Sequence, residues 1–205
     1  MFNWSKRRIL GPLGLLLWLA VIIVSGQQAV RAQANPGASR KADISVFGGY
    51  SFGNPDYGPK RNTGGTIGAN YTRFYGWFVS PSLEVRANRT SGYLLNEETI
   101  SAGIRGRSDF SRFHPYGDVL FGGVRLSYHY PYFPANLHDT SSVLSVGGGV
   151  DVDVVRHIQA KFDFQREYMN FGGNGTLPNN ADFTLTPNVF TIGAVYHTGG
   201  SKDRR

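Results

Sequence analysis

Residues 144–154 read Leu-Ser-Val-Gly-Gly-Gly-Val-Asp-Val-Asp-Val. In an extended strand, successive side chains point to opposite faces. Leu144, Val146, Val150, Val152 and Val154 therefore share one face, and Ser145, Gly147, Gly149, Asp151 and Asp153 share the other. Two aspartates cannot enter an ordinary apolar core without partners. An apolar face opposite a small, charged one suits a wall between hydrocarbon and a polar interior, the pattern of a transmembrane β-barrel strand. A soluble lipocalin-like carrier would give the same alternation with its apolar side turned inward. Repetition, connections and export have to decide between the two.

Export is legible at the start of the chain. Lys6, Arg7 and Arg8 precede a nearly unbroken apolar run from Ile9 to Val24, and Ala32-Gln33-Ala34 supplies a small-residue cleavage site. This is the layout of a secretory signal peptide, with cleavage expected after Ala34. Residues 1–34 carry Lys6, Arg7, Arg8 and Arg31 and no acid, so the formal charge of +7 falls to +3 once they are removed. The basic balance is therefore partly a targeting effect, and no nucleic-acid partner is expected. The chain has no cysteine, so no disulfide supports an exported fold. After cleavage no stretch approaches the ~20 apolar residues of a spanning helix. Membrane residence would then require a closed barrel, the other structure that satisfies its backbone groups in lipid.

The alternation recurs. It predicts strands over about residues 42–52, 65–74, 77–88, 99–108, 116–128, 144–154, 158–168 and 189–197. Residues 35–41 read as a periplasmic lead-in, 42–197 as the barrel and 198–205 as a polar tail. Connections alternate long and short, with Arg89 to Glu98, His129 to Ser142 and Asn170 to Pro187 among the long ones. That puts four long loops at one end and short turns with both termini at the other, the layout of an outer-membrane barrel. The fifth strand is ambiguous in phase. Val119, Phe121 and Gly123 face one way and Leu120, Val124 and Leu126 the other, so a bulge is expected there. Aromatics gather in two girdles. Phe74, Tyr75, Trp77, Phe78, Phe110, Phe113, Tyr116 and Tyr196 fall at the short-turn end. Tyr50, Phe52, Tyr128, Tyr130, Tyr132, Phe133, Tyr168 and Phe171 fall at the long-loop end.

Signal sequence, eight alternating strands and paired girdles together resemble the small outer-membrane β-barrel family, which includes the OmpA-type transmembrane domain, OmpX-type proteins and opacity-type surface proteins. The resemblance covers about Ala42 to His197. It implies an all-β fold, an eight-stranded antiparallel up-and-down transmembrane β-barrel in a bacterial outer membrane. It also implies contact with outer-membrane lipid and lipopolysaccharide, insertion by the barrel-assembly machinery, and a monomer. One departure is that His197 to Arg205 follow the terminal alternation Phe190, Ile192, Ala194 and Tyr196, whereas many family members end on an aromatic residue.

The inward faces carry the chemistry. Glu84, Arg86, Arg105, Asp151, Asp153, Lys161, Asp163 and Glu167 all fall on small-polar faces and form a candidate lumen charge network. An eight-stranded barrel is just wide enough for its side chains to fill it. The eight charges are therefore expected to plug the lumen by mutual pairing, with a narrow ion or small-solute channel as the alternative. No catalytic site, cofactor or metal is expected. The histidines His114, His129, His138, His157 and His197 show no metal-ligand spacing. Some small barrels are lipid-modifying enzymes, recognised by an H-x-S motif. Here His129 is followed by Tyr130 and Pro131, and His138 by Asp139 and Thr140. The expected role is non-enzymatic: envelope integrity, or surface contact through the loops.

Overall fold

The structure, a computed structural model, describes residues 42–56, 60–128, 138–171 and 183–198. The expected signal peptide, the lead-in and the end of the tail lie outside these residues. The described chain forms β1 (Ala42–Asn54), β2 (Asn62–Arg73), β3 (Ser80–Ser91), β4 (Leu95–Arg107), β5 (Phe113–Tyr128), β6 (His138–Val155), β7 (Ile158–Phe171), β8 (Phe183–Leu185) and β9 (Asn188–His197). Every pairing is antiparallel, each strand from β1 to β7 pairs with the next, and β9 pairs with both β7 and β1 to close the sheet.

Nine strands make eight staves. Met169 pairs with Leu185 and Arg166 with Asn188 in one unshifted register. β8 and β9 are thus a single stave, interrupted at Thr186-Pro187 because proline has no N–H for the ladder. The Pro187 carbonyl still accepts from the Glu167 amide at 3.0 Å. Following paired residues round the barrel from Asp43 through Thr72, Ser82, Arg105, Asp118, Gly147, Gln165 and Val189 arrives at Gly53. The offset from 43 to 53 is a shear of ten residues, which tilts the strands by roughly 40°.

The apolar side faces out. Ile44, Ile67, Leu83, Val85, Ile100, Ile104, Val119, Phe121, Val146 and Phe162 are all exposed, while Ser45, Thr66, Ser82, Glu84, Ser101, Asp118, Ser145 and Asp163 are buried inside. That arrangement is the reverse of a lipocalin-like carrier. Among the described residues no helix is long and apolar enough to cross a membrane.

Several boundaries differ from the sequence expectation. β3 starts at Ser80, and Trp77 and Phe78 belong to the preceding turn with 72% and 73% exposure. Pro81 lies one residue past the last β2–β3 pair, Thr72–Ser82, so its missing donor interrupts no bond there. The expected loop from Arg89 to Glu98 is mostly strand. Thr90 pairs with Glu97 and Ser91 with Asn96, leaving only Gly92, Tyr93 and Leu94 as a turn. The strict long–short alternation therefore fails here, and the loop end carries three longer connections rather than four. Outward side chains turn polar at Arg89 and Glu98 while the ladder continues, so loss of the apolar signal marks the end of the apolar band and not the strand end.

β5 has no bulge, since both its ladders run without a shift. The irregularity falls instead between Asp153 and Val155. Three aromatics expected in the girdles are inside: Tyr116 and Phe171 are buried, and the half-buried Tyr128 packs against the buried apolar cluster. Tyr75, Trp77, Phe78, Phe110, Phe113 and Tyr196 are exposed at the turn end, as are Tyr50, Phe52 and Tyr168 toward the loop end. Tyr130, Tyr132 and Phe133 lie outside the described residues.

The barrel lumen as candidate functional site

Three layers of side chains fill the lumen. The central one is built around Arg86 on β3. Its Nε and Nη2 donate to Glu84 Oε1 at 2.9 and 2.6 Å. Nη1 and Nη2 donate across the lumen to Asp163 Oδ2 and Oδ1, on β7, at 2.7 and 3.1 Å. Nη2 also lies 3.7 Å from Asp118. This is the fork-to-carboxylate geometry in which arginine binds most strongly. Arg105 pairs with Asp151 and approaches Glu84 Oε2 at 3.4 Å. With its amide oriented to satisfy both groups, Asn70 donates to Glu84 Oε2 at 2.8 Å and accepts from Arg105 Nη1 at 3.0 Å. Lys161, 1% exposed, donates to the Tyr116 hydroxyl at 2.6 Å and lies 3.7 Å from Asp151 and 3.8 Å from Asp163. Tyr116 in turn donates to Asp163 at 2.5 Å, and Gln165 Nε2 to Asp118 at 2.8 Å.

Two rings support the cations by their negative faces. Lys161 Nζ sits 4.6 Å from the Phe47 ring and 4.2 Å from that of Tyr116, and the Arg105 guanidinium 3.5 Å from that of Tyr116. Each ring faces a glycine on the neighbouring strand, Phe47 opposite Gly68 and Tyr116 opposite Gly149. A Cβ at Gly68 would lie 2.3 Å from Phe47 Cζ, and one at Gly149 would lie 2.7 Å from the Tyr116 hydroxyl. The glycines make room for the rings, and the rings hold the cations.

The lower layer, at the turn end, joins the first and last strands. His197 places Nδ1 2.6 Å from Asp43 Oδ2 and Nε2 2.7 Å from Gln159 Oε1. Gln159 donates to Asp153. His114 lies between Asp109, at 2.6 Å, and Asp153, at 3.2 Å. Arg107 donates to Asp109 at 3.0 Å.

The upper layer begins with hydroxyls: Ser51 bonds Thr66 at 2.5 Å and Thr191 at 2.8 Å. Above them Glu167 and Glu97 are buried beside each other. The lumen then closes on an apolar cap of Leu95, Val124, Leu126, Val143, Met169 and Phe171, with Tyr128 and Leu185 packed against it.

Six of the eight charges named from sequence, Glu84, Arg86, Arg105, Asp151, Lys161 and Asp163, thus meet in one cluster. Asp153 belongs to the lower layer beside Gln159 and His114, and Glu167 to the upper layer beside Glu97. Strand parity gives the face of a residue but not its height along the barrel, and height separates these two from the rest. Sequence reasoning missed Asp118, Tyr116 and Gln165 in the centre and Asp43, Gln159 and His197 below. Asp118 was available as a signal, because it shares the parity of Leu120 and opposes Val119. The uncertain phase of the fifth strand hid it. The cap was missed because lumen-facing and lipid-facing apolar residues look alike in sequence. Among the described residues, no three His, Cys, Asp or Glu converge as metal ligands.

Comparison with known proteins agrees with this architecture. Residues 15–197 match the family described as outer membrane protein beta-barrel domain. No curated protein matches the sequence. Among solved structures the chain is similar to neisserial surface protein A, at 15% identity over 77% of this chain and 97% of that one, with a TM-score of 0.51. It is also similar to Ail, the attachment invasion locus protein of Yersinia pestis, in complex with the heparin analogue sucrose octasulfate. There the identity is 14% over 76% and 97% of the two chains, with a TM-score of 0.47. The N-terminal β-barrel domain of Pseudomonas aeruginosa OprF matches at 13% identity over 75% and 96%, with a TM-score of 0.44. What is shared with the neisserial protein is the fold.

Proposed function

Because the chain belongs to the outer membrane protein beta-barrel domain family, whose members reside in the bacterial outer membrane, we propose that it is a closed, non-conducting barrel with a structural or surface-contact role and no enzymatic activity. The observation that carries this reading is the Arg86–Asp163 contact, 2.7 Å between strands on opposite sides of the lumen. A bridge at that point, roofed by Leu126 and Met169 at 0% exposure, favours a plug over a channel. Surface contact would use the three longer connections at the loop end. Export through a signal peptide cleaved after Ala34, insertion by the barrel-assembly machinery, a monomeric state and contact with lipid and lipopolysaccharide belong to the same proposal.

Planar-bilayer recording of the purified native protein tests it. The plug predicts insertion without steady current. A large, sustained open-pore current whose ion selectivity changes in Asp163→Asn would replace the plug with the narrow channel.

A further inference from the structure

Charge does not balance inside the barrel. In the central and upper layers the buried acids are Glu84, Glu97, Asp118, Asp151, Asp163 and Glu167, and the buried bases are Arg86, Arg105 and Lys161. Six carboxylates against three cations leave a surplus of three negative charges away from water. A buried charge is costly unless something of opposite sign compensates it. The three bases all lie in the central layer, each within 3.8 Å of Glu84, Asp118, Asp151 or Asp163. Glu167 makes no ion pair among the described residues, and its neighbour in the upper layer, Glu97, is a second acid. The upper layer therefore sets acid beside acid, while the bases are engaged below it.

Three neutral oxygens join these acids. Thr99 Oγ1, Ser145 Oγ and Gln165 Oε1 are buried with no hydrogen-bond partner among the described residues, as is Glu167 Oε2. With Glu97, these residues are between 2% and 4% exposed. Register puts them at one level. Ser145 pairs with Glu167 across the β6–β7 ladder, and Gln165 is the next inward residue on β7. Gln165 Nε2 donates to Asp118 at 2.8 Å and to Asp163 at 3.4 Å, which turns its carbonyl oxygen away from the central acids. Thr99 is the next inward residue after Glu97 on β4. Its ladder runs through Val124 to Ser141 and, in the same register, to Phe171. The shear climbs about four residues over those three steps, so Thr99 stands level with Glu167. Two carboxylates, two hydroxyls and an amide carbonyl thus surround one part of the upper lumen, beneath the apolar cap.

All five donors are oxygens, with none of the nitrogen or sulfur ligands that zinc favours. Calcium takes roughly six to eight oxygens from carboxylates, carbonyls and water in flexible geometry, whereas magnesium demands a near-ideal octahedron and keeps most of its water. Two carboxylates able to bind through both oxygens, with three neutral oxygens beside them, suit calcium. Buried water would satisfy the hydroxyls and the amide but would leave the surplus negative charge in place. A divalent cation cancels the charge of both upper carboxylates.

We propose that Glu97 and Glu167, with the hydroxyls of Thr99 and Ser145 and the side-chain carbonyl of Gln165, bind one calcium ion in the upper lumen. The site deepens the plug reading and rests on its closed lumen: the ion is sealed beneath Leu126 and Met169 and completes the pairing of charge that fills the barrel. Enclosed there, it is taken up as the barrel closes.

The test refolds the full-length mature protein from urea into non-ionic detergent, free of lipopolysaccharide and at mildly alkaline pH, with calcium, with magnesium or with a chelator. Bound metal is counted by atomic emission after gel filtration into metal-free buffer. The native protein is expected to retain one calcium per chain and no magnesium. Its melting temperature is expected to rise by about 3–6 °C for each tenfold increase in free calcium above the dissociation constant. Glu97→Gln/Glu167→Gln is expected to retain none, since ligand charge sets the affinity of such sites, and Glu98→Gln, at an exposed acid, to retain one. The order of stability should also reverse. In chelator the double variant melts above native, because it lacks the two facing carboxylates; in calcium it melts below. A native protein that retains no calcium and whose melting ignores it overturns the site, and that result needs no variant to fold. One calcium retained by the folded double variant overturns the assignment of its ligands. Planar-bilayer recording of the same preparation separates the two readings: a conducting native protein ends the plug and the sealed site together, and a non-conducting protein without calcium ends the site alone.

Discussion

Arg86→Met should be among the most damaging single changes in the lumen. Arg86 makes four hydrogen bonds to two carboxylates and lies 3.7 Å from a third. Methionine fills much of the same volume but leaves Glu84 facing only Arg105 at 3.4 Å and Asn70. It leaves Asp163 with the Tyr116 hydroxyl, with Gln165 Nε2 at 3.4 Å and with Lys161 at 3.8 Å. Breaking a buried pair by removing one partner costs about 3–5 kcal/mol, because the remaining charge stays buried without compensation. At roughly 2–4 °C per kcal/mol for a chain of this size, the loss is about 6–20 °C. The assay is the temperature at which the folded gel species disappears. Arg89→Met is the control: its ion pair is exposed, and removing it in lipid-free detergent should cost less than about 1 kcal/mol. Arg86→Met/Asp163→Met removes both charges, and its loss should fall short of the sum of the single losses by about 0.5–3 kcal/mol. An Arg86→Met protein that melts within about 1 kcal/mol of native would refute the claim that the central cluster carries stability.

Three further outcomes follow from the packing. Gly149→Ala places a Cβ 2.1 Å from the Phe162 carbonyl oxygen and should cost about 1–3 kcal/mol by overpacking, read by thermal unfolding. Gly117→Ala, on the outer face with nothing nearer than 3.7 Å, should melt like native. Ile104→Arg, set in the apolar band between Leu83 and Val119, should cost roughly 2–4 kcal/mol in lipid, whereas Val152→Arg, beside Phe113 at the turn end, should cost about 1 kcal/mol or less; equal losses in urea titrations would contradict the depth assignment. Met169→Ala in the cap should lose about 2–5 kcal/mol through the cavity it leaves, measured as the shift in the urea midpoint.

The wall of this barrel is legible residue by residue. In β7 the order Ile158, Gln159, Ala160, Lys161, Phe162, Asp163 already separates lipid from lumen, because each apolar residue there is outward and each polar one inward. β5 is harder, since Val119 and Phe121 face out while Leu120 and Leu126 face in, and apolar residues on both faces cancel the alternation. Only the paired registers of β4 and β6 settle which side is which. Strand ends at the loop side are also hidden. Beyond Arg89 both faces are polar, so the ladder continues with no change that composition can register. The central cluster was partly legible for a related reason. Lys161, Asp163 and Arg86 announce themselves as inward charges, but their convergence depends on the ten-residue shear, a property of the closed barrel and of no single strand.

The absence of native cysteine permits a direct test of the central claim, an apolar exterior round a closed lumen. Ile100 is 67% exposed on the outer face and Ser101, the next residue, is 4% exposed inside. Ile100→Cys and Ser101→Cys, each in vesicles, should be compared for labelling by a charged water-soluble thiol reagent and by a lipid-partitioning maleimide. The account predicts that the cysteine at position 100 reacts only with the lipid-partitioning reagent. It predicts that the cysteine at position 101 reacts with neither until the barrel is unfolded. Rapid labelling at position 101 by the charged reagent would mean an open aqueous lumen, and labelling at position 100 by that reagent would mean that the apolar face does not meet lipid.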